Sequence, residues 1–238
     1  MTEEIPSESR CVYCEDAVQW LQERPVLAGC SLVASLPDVS EFPSFSLDEW
    51  KSWFTSTVRL VLSRTPDRGV AVFYQTDIRL NGLWIDKAFL CQKAAENEGS
   101  QLLWHKVVCR FRPGNSSTGR PAYTHLLCFS RALRSDFAKP RIDVLPESGD
   151  KTWVRGMGFE ACRIIGEYIT NETDTRTLVH PFCGQGSMLA VAEKLGLNAI
   201  GIERSPKRAE LARGLTADLE LRKFLRRRIM SSNQRQAK

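Results

Sequence analysis

Residues 177–190 have the sequence Thr177-Leu-Val-His-Pro-Phe-Cys-Gly-Gln-Gly-Ser-Met-Leu-Ala190, which is the pattern of an apolar strand, a glycine turn and the start of a helix. A second apolar strand, Asn198-Ala-Ile-Gly-Ile-Glu203, ends on a carboxylate 19 residues after Gly184. Glycines let the backbone approach a ligand closely, and an acid at the next strand end accepts both hydroxyls of a ribose. The two segments therefore predict a nucleotide-type cofactor site. Leu189 stands where a dinucleotide fingerprint has its third glycine, so a bound pyrophosphate is the weaker interpretation.

Length and composition indicate one large α/β domain, since 238 residues can bury a substantial core without a second domain. No apolar run approaches the length of a membrane span, and the start, Met1-Thr-Glu-Glu-Ile-Pro6, is acidic and unlike a targeting segment. Eight cysteines lie mostly in apolar stretches, where a free thiol behaves as a small hydrophobic side chain. These features predict an intracellular protein, cytoplasmic or nuclear, with no membrane partner.

Cys11 and Cys14 form a Cys-x-x-Cys pair, which could begin a zinc site or a redox pair. No second pair and no closely spaced histidines complete such a site. We therefore predict that these thiols pack in a strand and that the chain has no metal site.

The order of elements predicts an α/β sandwich with a largely parallel sheet. Seven β-rich runs fit one sheet, at residues 11–14, 30–34, 70–74, 102–111, 123–129, 178–180 and 199–203. Ser46 and Glu49 have the spacing of a capping box in front of a helix. Further helices are predicted at residues 83–98, 153–169 and 187–195, and from Ser205 toward Arg228. The loop between the fourth and fifth runs is too short for a helical crossover, so these two strands should form an antiparallel hairpin.

The glycine turn follows about three quarters of the chain, whereas it usually belongs to the first strand of such a sheet. A circular permutation, with a catalytic half first and a cofactor half last, explains this position. We predict an N-terminal tail at 1–9, a permuted domain at 10–215 with its catalytic half at about 10–135 and its cofactor half at about 151–215, and a basic C-terminal helix and tail at 216–238.

The glycine turn resembles the S-adenosylmethionine loop of amino-methyltransferases, typically Asp-Pro-Phe-x-Gly-x-Gly-Thr. The permuted order resembles that of the DNA cytosine-N4 and adenine-N6 enzymes, from about residue 11 to about residue 213. The segments that match are, in chain order, Glu15-Asp-Ala-Val-Gln-Trp-Leu21, Leu32-Val-Ala-Ser-Leu-Pro-Asp38, Asp77-Ile-Arg79, Gly82, Ile85-Asp-Lys87, Trp104-His-Lys106, Tyr123-Thr-His-Leu-Leu-Cys-Phe-Ser130 and the glycine turn. The resemblance implies a Rossmann-like, seven-stranded methyltransferase sandwich, circularly permuted, with a C-terminal antiparallel hairpin element in the sheet.

The resemblance also implies S-adenosyl-L-methionine as the cofactor. Its contacts would come from the residues that match the family's cofactor site, namely Asp16, His180, Pro181, Cys183, Gly184, Gly186 and Glu203. Within this set Asp16 would bind the adenine amine and Glu203 the ribose. His180 stands where the family usually has an acid, and its alternative is a buried imidazole with satisfied hydrogen bonds.

The catalytic turn of the family is Ser-Pro-Pro-Tyr-like, and Ser35, Leu36, Pro37 and Asp38 match it. By that match the Ser35 hydroxyl and the Leu36 carbonyl would hold the target amine, and serine in first place favours cytosine N4. Leu36 replaces a proline and Asp38 replaces the aromatic residue that stacks on an extruded base. Phe42 or Phe45 could stack instead, and Asp38 could accept a hydrogen bond from the target. The alternative is an ordinary strand exit, because proline and aspartate favour turns.

The expected target is a nucleobase amine in a structured RNA (a tRNA, rRNA or snRNA). Only residues 131–151 separate the two halves, which is too short for an independent recognition domain. A basic cluster near the end, Arg222, Lys223, Arg226, Arg227 and Arg228, would contact phosphates, helped by Lys106, Arg110, Arg112 and Arg120 around the hairpin loop. A protein partner could supply specificity. The alternatives are a degenerate subunit that binds RNA or a partner without transfer, a different acceptor atom, or DNA.

Overall fold

A central sheet of eight strands organises the protein, in a computed structural model that describes residues 9–217. A separate two-stranded hairpin lies beside it. In chain order the strands are β1 (Arg10–Tyr13), β2 (Cys30–Ala34), β3 (Ala71–Gln75), β4 (Ile78–Leu80), β5 (Leu83–Ile85), β6 (Gln101–Cys109), β7 (Tyr123–Ser130), β8 (Val144–Leu145), β9 (Thr177–Pro181) and β10 (Asn198–Ile202).

The permutation is visible in the strand order, which is β1-β10-β9-β2-β3-β7-β6-β8. The last two strands of the described chain thus lie between the first and the second. Strands β1, β10, β9, β2 and β3 are parallel to one another, whereas β7 runs antiparallel to the strands on both sides of it. The carboxyl ends of the parallel strands therefore meet at one edge, where open α/β sheets bind ligands.

All seven predicted strands are present in this sheet, and the antiparallel hairpin of β6 and β7 is confirmed. The eighth strand, β8, was not predicted because only two residues form it, Val144 and Leu145. It lies parallel to β6 at the edge of the sheet.

The helices are α1 (Ala17–Gln22), α2 (Leu47–Arg64), α3 (Lys87–Asn97), α4 (Phe159–Glu172), α5 (Ser187–Lys194) and α6 (Pro206–Gly214). The capping box at the start of α2 is confirmed. The backbone N–H of Glu49 donates to Ser46 Oγ at 3.3 Å, and the N–H of Ser46 donates back to Glu49 Oε2 at 2.7 Å. This reciprocal pair satisfies two backbone donors that a helix start otherwise leaves unpaired.

Two predicted helix starts are wrong. The helix expected at residues 83–98 begins only at Lys87, because Asn81 and Gly82 have φ of 50° and 74° and form the turn of the β4–β5 hairpin. The helix expected at 153–169 begins at Phe159. A Cβ on Gly158 would lie 2.0 Å from the carbonyl oxygen of Ser148, so the backbone before α4 packs as a loop against that residue.

The last described helix is also shorter than predicted. Helix α6 ends at Gly214, and Leu215 is already extended. The guanidinium of Arg10 donates to the carbonyls of Ala212 at 2.8 Å and Leu215 at 2.7 Å, which satisfies oxygens that the helix end leaves free. The basic cluster lies beyond residue 217 and so outside the described residues.

The sheet has a buried apolar layer on each face. One layer packs α1, α2 and α3 against side chains such as Leu32, Phe73 and Phe129. The other packs α4, α5 and α6 against side chains such as Val33 and Leu178. Within residues 9–217, no helix is long and apolar enough to cross a membrane.

Candidate active site

A cleft opens at the carboxyl edge of the parallel strands. Most of the predicted site residues line it, namely Asp16, Ser35, Leu36, Pro37, Asp38, His180, Cys183, Gly184 and Glu203. Pro181, the last residue of β9, and Gly186, the residue before α5, lie behind its surface. The structure thus brings the proposed catalytic turn and the proposed cofactor loop to one cavity, although about 140 residues separate them in the chain.

The glycine turn requires its glycines. Gly184 and Gly186 have φ of 58° and 85°, and Phe182 is also left-handed at 76°. A Cβ on Gly186 would lie 2.9 Å from Cα of Ala212, so α6 packs directly against the turn. A Cβ on Gly184 would contact the indole of Trp153 at 3.4 Å, so Trp153 lies over the opposite side of the turn. Any larger side chain would be strained at both glycines because of their positive φ, and at Gly186 it would also clash with α6.

Glu203 is buried where β10 ends and has a partner that the sequence did not predict. Its Oε1 accepts hydrogen bonds from the N–H of Ser205 and from Nη2 of Arg208, both at 2.8 Å. The guanidinium of Arg208 also lies 5.3 Å from the ring centre of Trp153. One carboxylate oxygen of Glu203 is thus engaged within the protein, and the residue still lines the cleft.

His180 is buried and unsatisfied. Its side chain is 3% exposed, and neither ring nitrogen has a hydrogen-bond partner among the described residues. Burial lowers the pKa of His180 from 6.5 to about 3, so the imidazole is neutral at physiological pH. A buried polar group without a partner is uncommon in proteins, and one that faces a cleft is suited to a ligand. The alternative of a satisfied core histidine does not hold in this structure.

Two further cofactor candidates have local roles as well. Asp16 caps α1, because its Oδ1 accepts from the N–H groups of Val18 at 2.9 Å and Gln19 at 3.0 Å. Its side chain lies at the cleft and is exposed. Cys183 is buried, which raises the pKa of its thiol to about 12, so it is a neutral wall of the site and not a nucleophile.

The catalytic turn follows β2 directly. Ser35 is half-buried at the cleft, and its hydroxyl has no partner among residues 9–217. The carbonyl oxygen of Leu36 likewise accepts no hydrogen bond from the described residues. That of Pro37 accepts one from Nε1 of Trp50 at 3.4 Å. One hydroxyl and one carbonyl are therefore free to accept hydrogen bonds at this end of the cleft.

Asp38 is not a free acceptor. It begins a short 3-10 turn at Val39–Glu41, accepting from the N–H of Val39. Its two oxygens also pair with cations, Oδ1 with Nζ of Lys87 at 3.6 Å and Oδ2 with Nη2 of Arg120 at 3.3 Å. The carboxylate fixes the turn to α3 and to the hairpin loop.

Two residues of the cleft were missed as site residues by the sequence analysis. Gln75 is the last residue of β3 and Lys87 the first of α3, and both are buried. Burial lowers the pKa of the Lys87 ammonium, which Asp38 partly opposes. A polar residue at the carboxyl end of an apolar strand was the available signal for Gln75, since that edge holds the ligand in such sheets.

Aromatic side chains form one wall of the cleft. Phe42 and Trp53 have ring centres 4.5 Å apart, and Trp53 meets Phe182 edge-on at 6.4 Å. All three line the cavity. Phe45 stacks on the far side of Phe42 at 5.0 Å and does not reach the cleft. The wall places flat apolar surface beside the turn whose own aromatic residue is missing.

The cleft is basic, with seven Lys or Arg and four Asp or Glu along it. Arg110, Lys151 and Arg204 have no acidic partner among the described residues. Lys151 is partly buried, and burial together with the nearby Arg110 lowers its pKa. Lys106, expected at this surface, is instead buried beside Asp143 at 3.6 Å. Two unpaired cations in close proximity favour an anionic ligand.

A hydrogen-bonded chain lies under α3, outside the cleft. His105 Nε2 is 2.8 Å from His125 Nδ1, and His125 Nε2 is 3.0 Å from Asp77 Oδ2. Burial alone would raise the pKa of Asp77, but the hydrogen bond and charge of His125 lower it. Asp77, Asp86 and His125 form a group of metal-capable side chains within residues 9–217. Asp77 also accepts from Trp84 and from the N–H of Lys87, so the chain connects β7 to the start of α3.

Solved structures of similar fold include proteins named as DNA methyltransferases. The PvuII DNA methyltransferase, which is cytosine-N4-specific, matches with a TM-score of 0.64 at 18% identity over 91% of this chain and 90% of that one. TTHA0409 of Thermus thermophilus, described as a DNA modification methylase and solved with S-adenosyl-L-methionine, matches with a TM-score of 0.64 at 17% identity over 84% and 90% of the two chains. The chain has the fold of these DNA methyltransferases.

The M1.HpyAVI–SAM complex has the same fold, with a TM-score of 0.59 at 13% identity over 86% of this chain and 97% of that one. No protein-family model matches the sequence, and no curated protein sequence matches it. The likeness is therefore one of three-dimensional structure.

Proposed function

We propose that this chain is an S-adenosyl-L-methionine-dependent methyltransferase that modifies an exocyclic amine of a nucleobase. One observation carries the proposal: the free acceptors of Ser35 and Leu36 and the glycine turn with Glu203 open on the same cleft. A methyl donor at the turn would therefore be next to an amine held at Ser35. Solved structures of the same fold include S-adenosyl-L-methionine complexes, which supports this choice of donor.

The residues present fit that cofactor. The left-handed turn at Gly184 and Gly186 forms a cradle in which a Cβ on Gly184 would already contact Trp153, whereas a Cβ on Gly186 would collide with Ala212 of α6. His180 presents two unpartnered ring nitrogens, and Glu203 stands at the neighbouring strand end for the ribose hydroxyls. Arg208 and Trp153 flank this cradle and would shift to admit an adenosine.

For methyl transfer the protein must position the target amine against the methyl donor and make its nitrogen more nucleophilic. S-adenosyl-L-methionine would supply a methyl group on a sulfonium: the nitrogen–carbon bond would form as the carbon–sulfur bond breaks, the electron pair would stay on sulfur, and the proton lost from the nitrogen would pass to solvent. A nucleobase amine is a poor nucleophile because its lone pair is delocalised into the ring. Acceptors at Ser35 and Leu36, aimed at its two N–H groups, favour the tetrahedral nitrogen that attacks in line. The wall of Phe42 and Trp53 would stack on the base.

Cytosine N4 is the favoured atom, since serine opens the catalytic turn and a cytosine-N4-specific enzyme shares the fold. RNA is the favoured polymer. Between β7 and α4 the described chain has only the two-residue strand β8, so no separate module reads a duplex there. An unstacked base in a structured RNA needs no such module. The unpaired cations of the cleft and the basic cluster near the C-terminus would contact its phosphates.

DNA is the second candidate, because the solved proteins of the same fold that we compared include DNA methyltransferases. The cleft would contact a base and phosphates, and RNA and DNA both have these groups. The choice between RNA and DNA must therefore be tested with both polymers as substrates.

The test is methyl transfer from labelled S-adenosyl-L-methionine to total RNA and to genomic DNA by the purified protein, with mass spectrometry of the product nucleosides. We expect N4-methylcytidine in RNA. Ser35→Ala should lower kcat at least about tenfold and leave the cofactor Kd unchanged, since one acceptor of the transition state is lost. Label only in DNA would replace the RNA assignment. Absence of label from both polymers, with cofactor still bound, would favour a degenerate subunit.

A further inference from the structure

Gln75 is a buried amide at the floor of the cleft, with its side chain 1% exposed. It ends β3, the neighbour of β2, and the two parallel strands are in register with Ala34 opposite Phe73. Gln75 therefore lies level with the turn that begins at Ser35. The amide and the turn residues Ser35 and Leu36 all line the same cleft.

The orientation of this amide is fixed by a lysine. Nζ of Lys87 lies 3.4 Å from Oε1 of Gln75. An ammonium group only donates hydrogen bonds, so the oxygen of the amide must face it. The Nε2 group then points the other way, and it is buried without a hydrogen-bond partner among the described residues.

Lys87 cannot move away easily. Its side chain is 3% exposed, it pairs with Asp38, and its Nζ lies 5.6 Å from the ring centres of both Trp50 and Phe54. The carboxylate of Asp38 favours the charged form of the lysine and holds it over these rings. The contacts of Asp38 with Lys87 and of Lys87 with Gln75 therefore link the proposed catalytic turn to the amide and fix the direction of the amide.

A buried amide N–H group without a partner is rare and unfavourable unless a ligand accepts from it. In cytosine the ring nitrogen N3 is next to the N4 amine, and in adenine N1 is next to the N6 amine; both are acceptors. A base whose amine is held at Ser35 would present such a nitrogen to the same end of the cleft.

We propose that Gln75 is a specificity-determining residue, whose Nε2 donates to the ring nitrogen beside the methylated amine, and that Lys87 is the positioning residue that fixes the Gln75 amide. This inference rests on the methyltransferase function proposed above and adds to it a contact that recognises the ring acceptor next to the amine. Asp38 would then also contribute to the site, because it holds Lys87 in place without contacting the base itself.

The experiment compares single-stranded oligonucleotides, as RNA and as DNA, that contain one cytosine or one 3-deazacytosine, and in parallel one adenine or one 1-deazaadenine. Each deaza base replaces the ring nitrogen by C–H and keeps the amine. For the base that the protein methylates, we expect kcat/KM to fall about tenfold to a hundredfold on removal of the nitrogen, as for loss of a buried hydrogen bond.

The variants separate this role from a structural one. Gln75→Leu should lower kcat/KM for the normal base and abolish the preference over the deaza base, and Gln75→Glu, which presents acceptors only, should shift the preference toward the deaza base. Lys87→Met should weaken the preference and Lys87→Arg should retain most of it. Gln101→Leu, at the exposed start of β6, is the matched control and should behave as wild type. Retention of the cofactor Kd shows that each variant is folded.

An unchanged preference in Gln75→Leu overturns the role of Gln75 and leaves methyl transfer intact. Lack of transfer by the wild type to every oligonucleotide overturns the proposed function instead. In that case the same oligonucleotides are compared by equilibrium binding with S-adenosylhomocysteine present. Equal binding of normal and deaza bases by the wild type would then overturn the role of Gln75 as well.

Discussion

At the scale of single residues, the carboxylate of Glu203 has one oxygen that is engaged within the protein and one that is available to a ligand. Arg208 and the N–H of Ser205 share its Oε1, and this leaves Oε2 to accept from the hydroxyls of a ribose. The internal contacts hold the side chain in one rotamer, so the acceptor is in place before a ligand arrives.

Glu203→Ala should therefore weaken S-adenosyl-L-methionine binding at least about tenfold, because hydrogen bonds to a charged acceptor are worth about 1.5–3 kcal/mol. Isothermal titration calorimetry measures the change. The control is Glu210→Ala, which removes an exposed acid of the neighbouring helix that pairs with Arg213. Equal affinity in wild type and Glu203→Ala would place the ribose elsewhere.

His180 gives a prediction about pH. Burial lowers its pKa from 6.5 to about 3, so between these values the unfolded chain binds a proton here that the folded protein does not. The stability that neutral His180 contributes is complete above pH 6.5 and is lost as the pH falls below it, by about 1.4 kcal/mol per pH unit.

Between about pH 7 and about pH 5, the free energy of unfolding of the wild type should fall by about 2 kcal/mol more than that of His180→Gln. Urea unfolding at both pH values measures this difference. His105 and His125 are present in both proteins, so the comparison isolates the contribution of His180. Parallel pH dependence of the two proteins would mean that the imidazole is accessible to protons in the folded state.

At the scale of elements, α2 has two functions on different faces. Trp50 and Phe54 are fully buried against the sheet, whereas Trp53 faces the cleft. Adjacent residues of an α-helix differ by about 100° around its axis, so Trp53 points away from Phe54 although it is only three residues from Trp50. The same helix therefore contributes to the core and to the aromatic wall that replaces the missing side chain of the catalytic turn.

Trp53→Ala should lower the affinity for a single-stranded oligonucleotide by about tenfold or more, since stacking of one base on an aromatic ring is worth about 1–3 kcal/mol. Fluorescence anisotropy with S-adenosylhomocysteine present measures the affinity. Phe89→Ala, which removes an exposed aromatic ring on α3, is the matched control. A loss confined to cofactor binding would assign Trp53 to the cofactor half of the cleft.

The strands were predictable because their apolar runs are buried on both faces, as in β2 and β3. The helix starts were harder to predict. Asn81-Gly82 is a recognised hairpin turn, but the helical periodicity of residues 83–98 favoured a helix in the segment that follows it. Ser35 and Glu203 were predictable from their place after strands. Gln75 was not, since the significance of its amide depends on a lysine of another element that fixes the direction of the nitrogen.

At the scale of the whole molecule, the sheet joins two sequence halves that cannot complete it separately. In the described sheet, β1 pairs with β10 alone, and β2 needs β9 on its open side. The connection at residues 136–140 is exposed, so a break there removes no core contact.

Fragments 1–137 and 138–238 should each lack cooperative thermal unfolding and should recover it when mixed, since each supplies the strands that the other pairs with. Circular dichroism of the mixture during heating measures this. Val179→Asp in the second fragment is the control, because it places a charge at a fully buried position of β9 and should prevent recovery. Cooperative unfolding of either fragment alone would show that it is an independent domain.

The strand order also determines when the sheet can close during synthesis on the ribosome. Strands β1, β2 and β3 are made first, yet the centre of their sheet stays open until β9 and β10 follow, more than 100 residues later. During that interval the growing chain exposes unpaired strand edges and one whole apolar face. The turn at Gly184 and Gly186 is translated together with the strands that close the gap, so a nascent chain completes its cleft and gains its protection from aggregation in the same step.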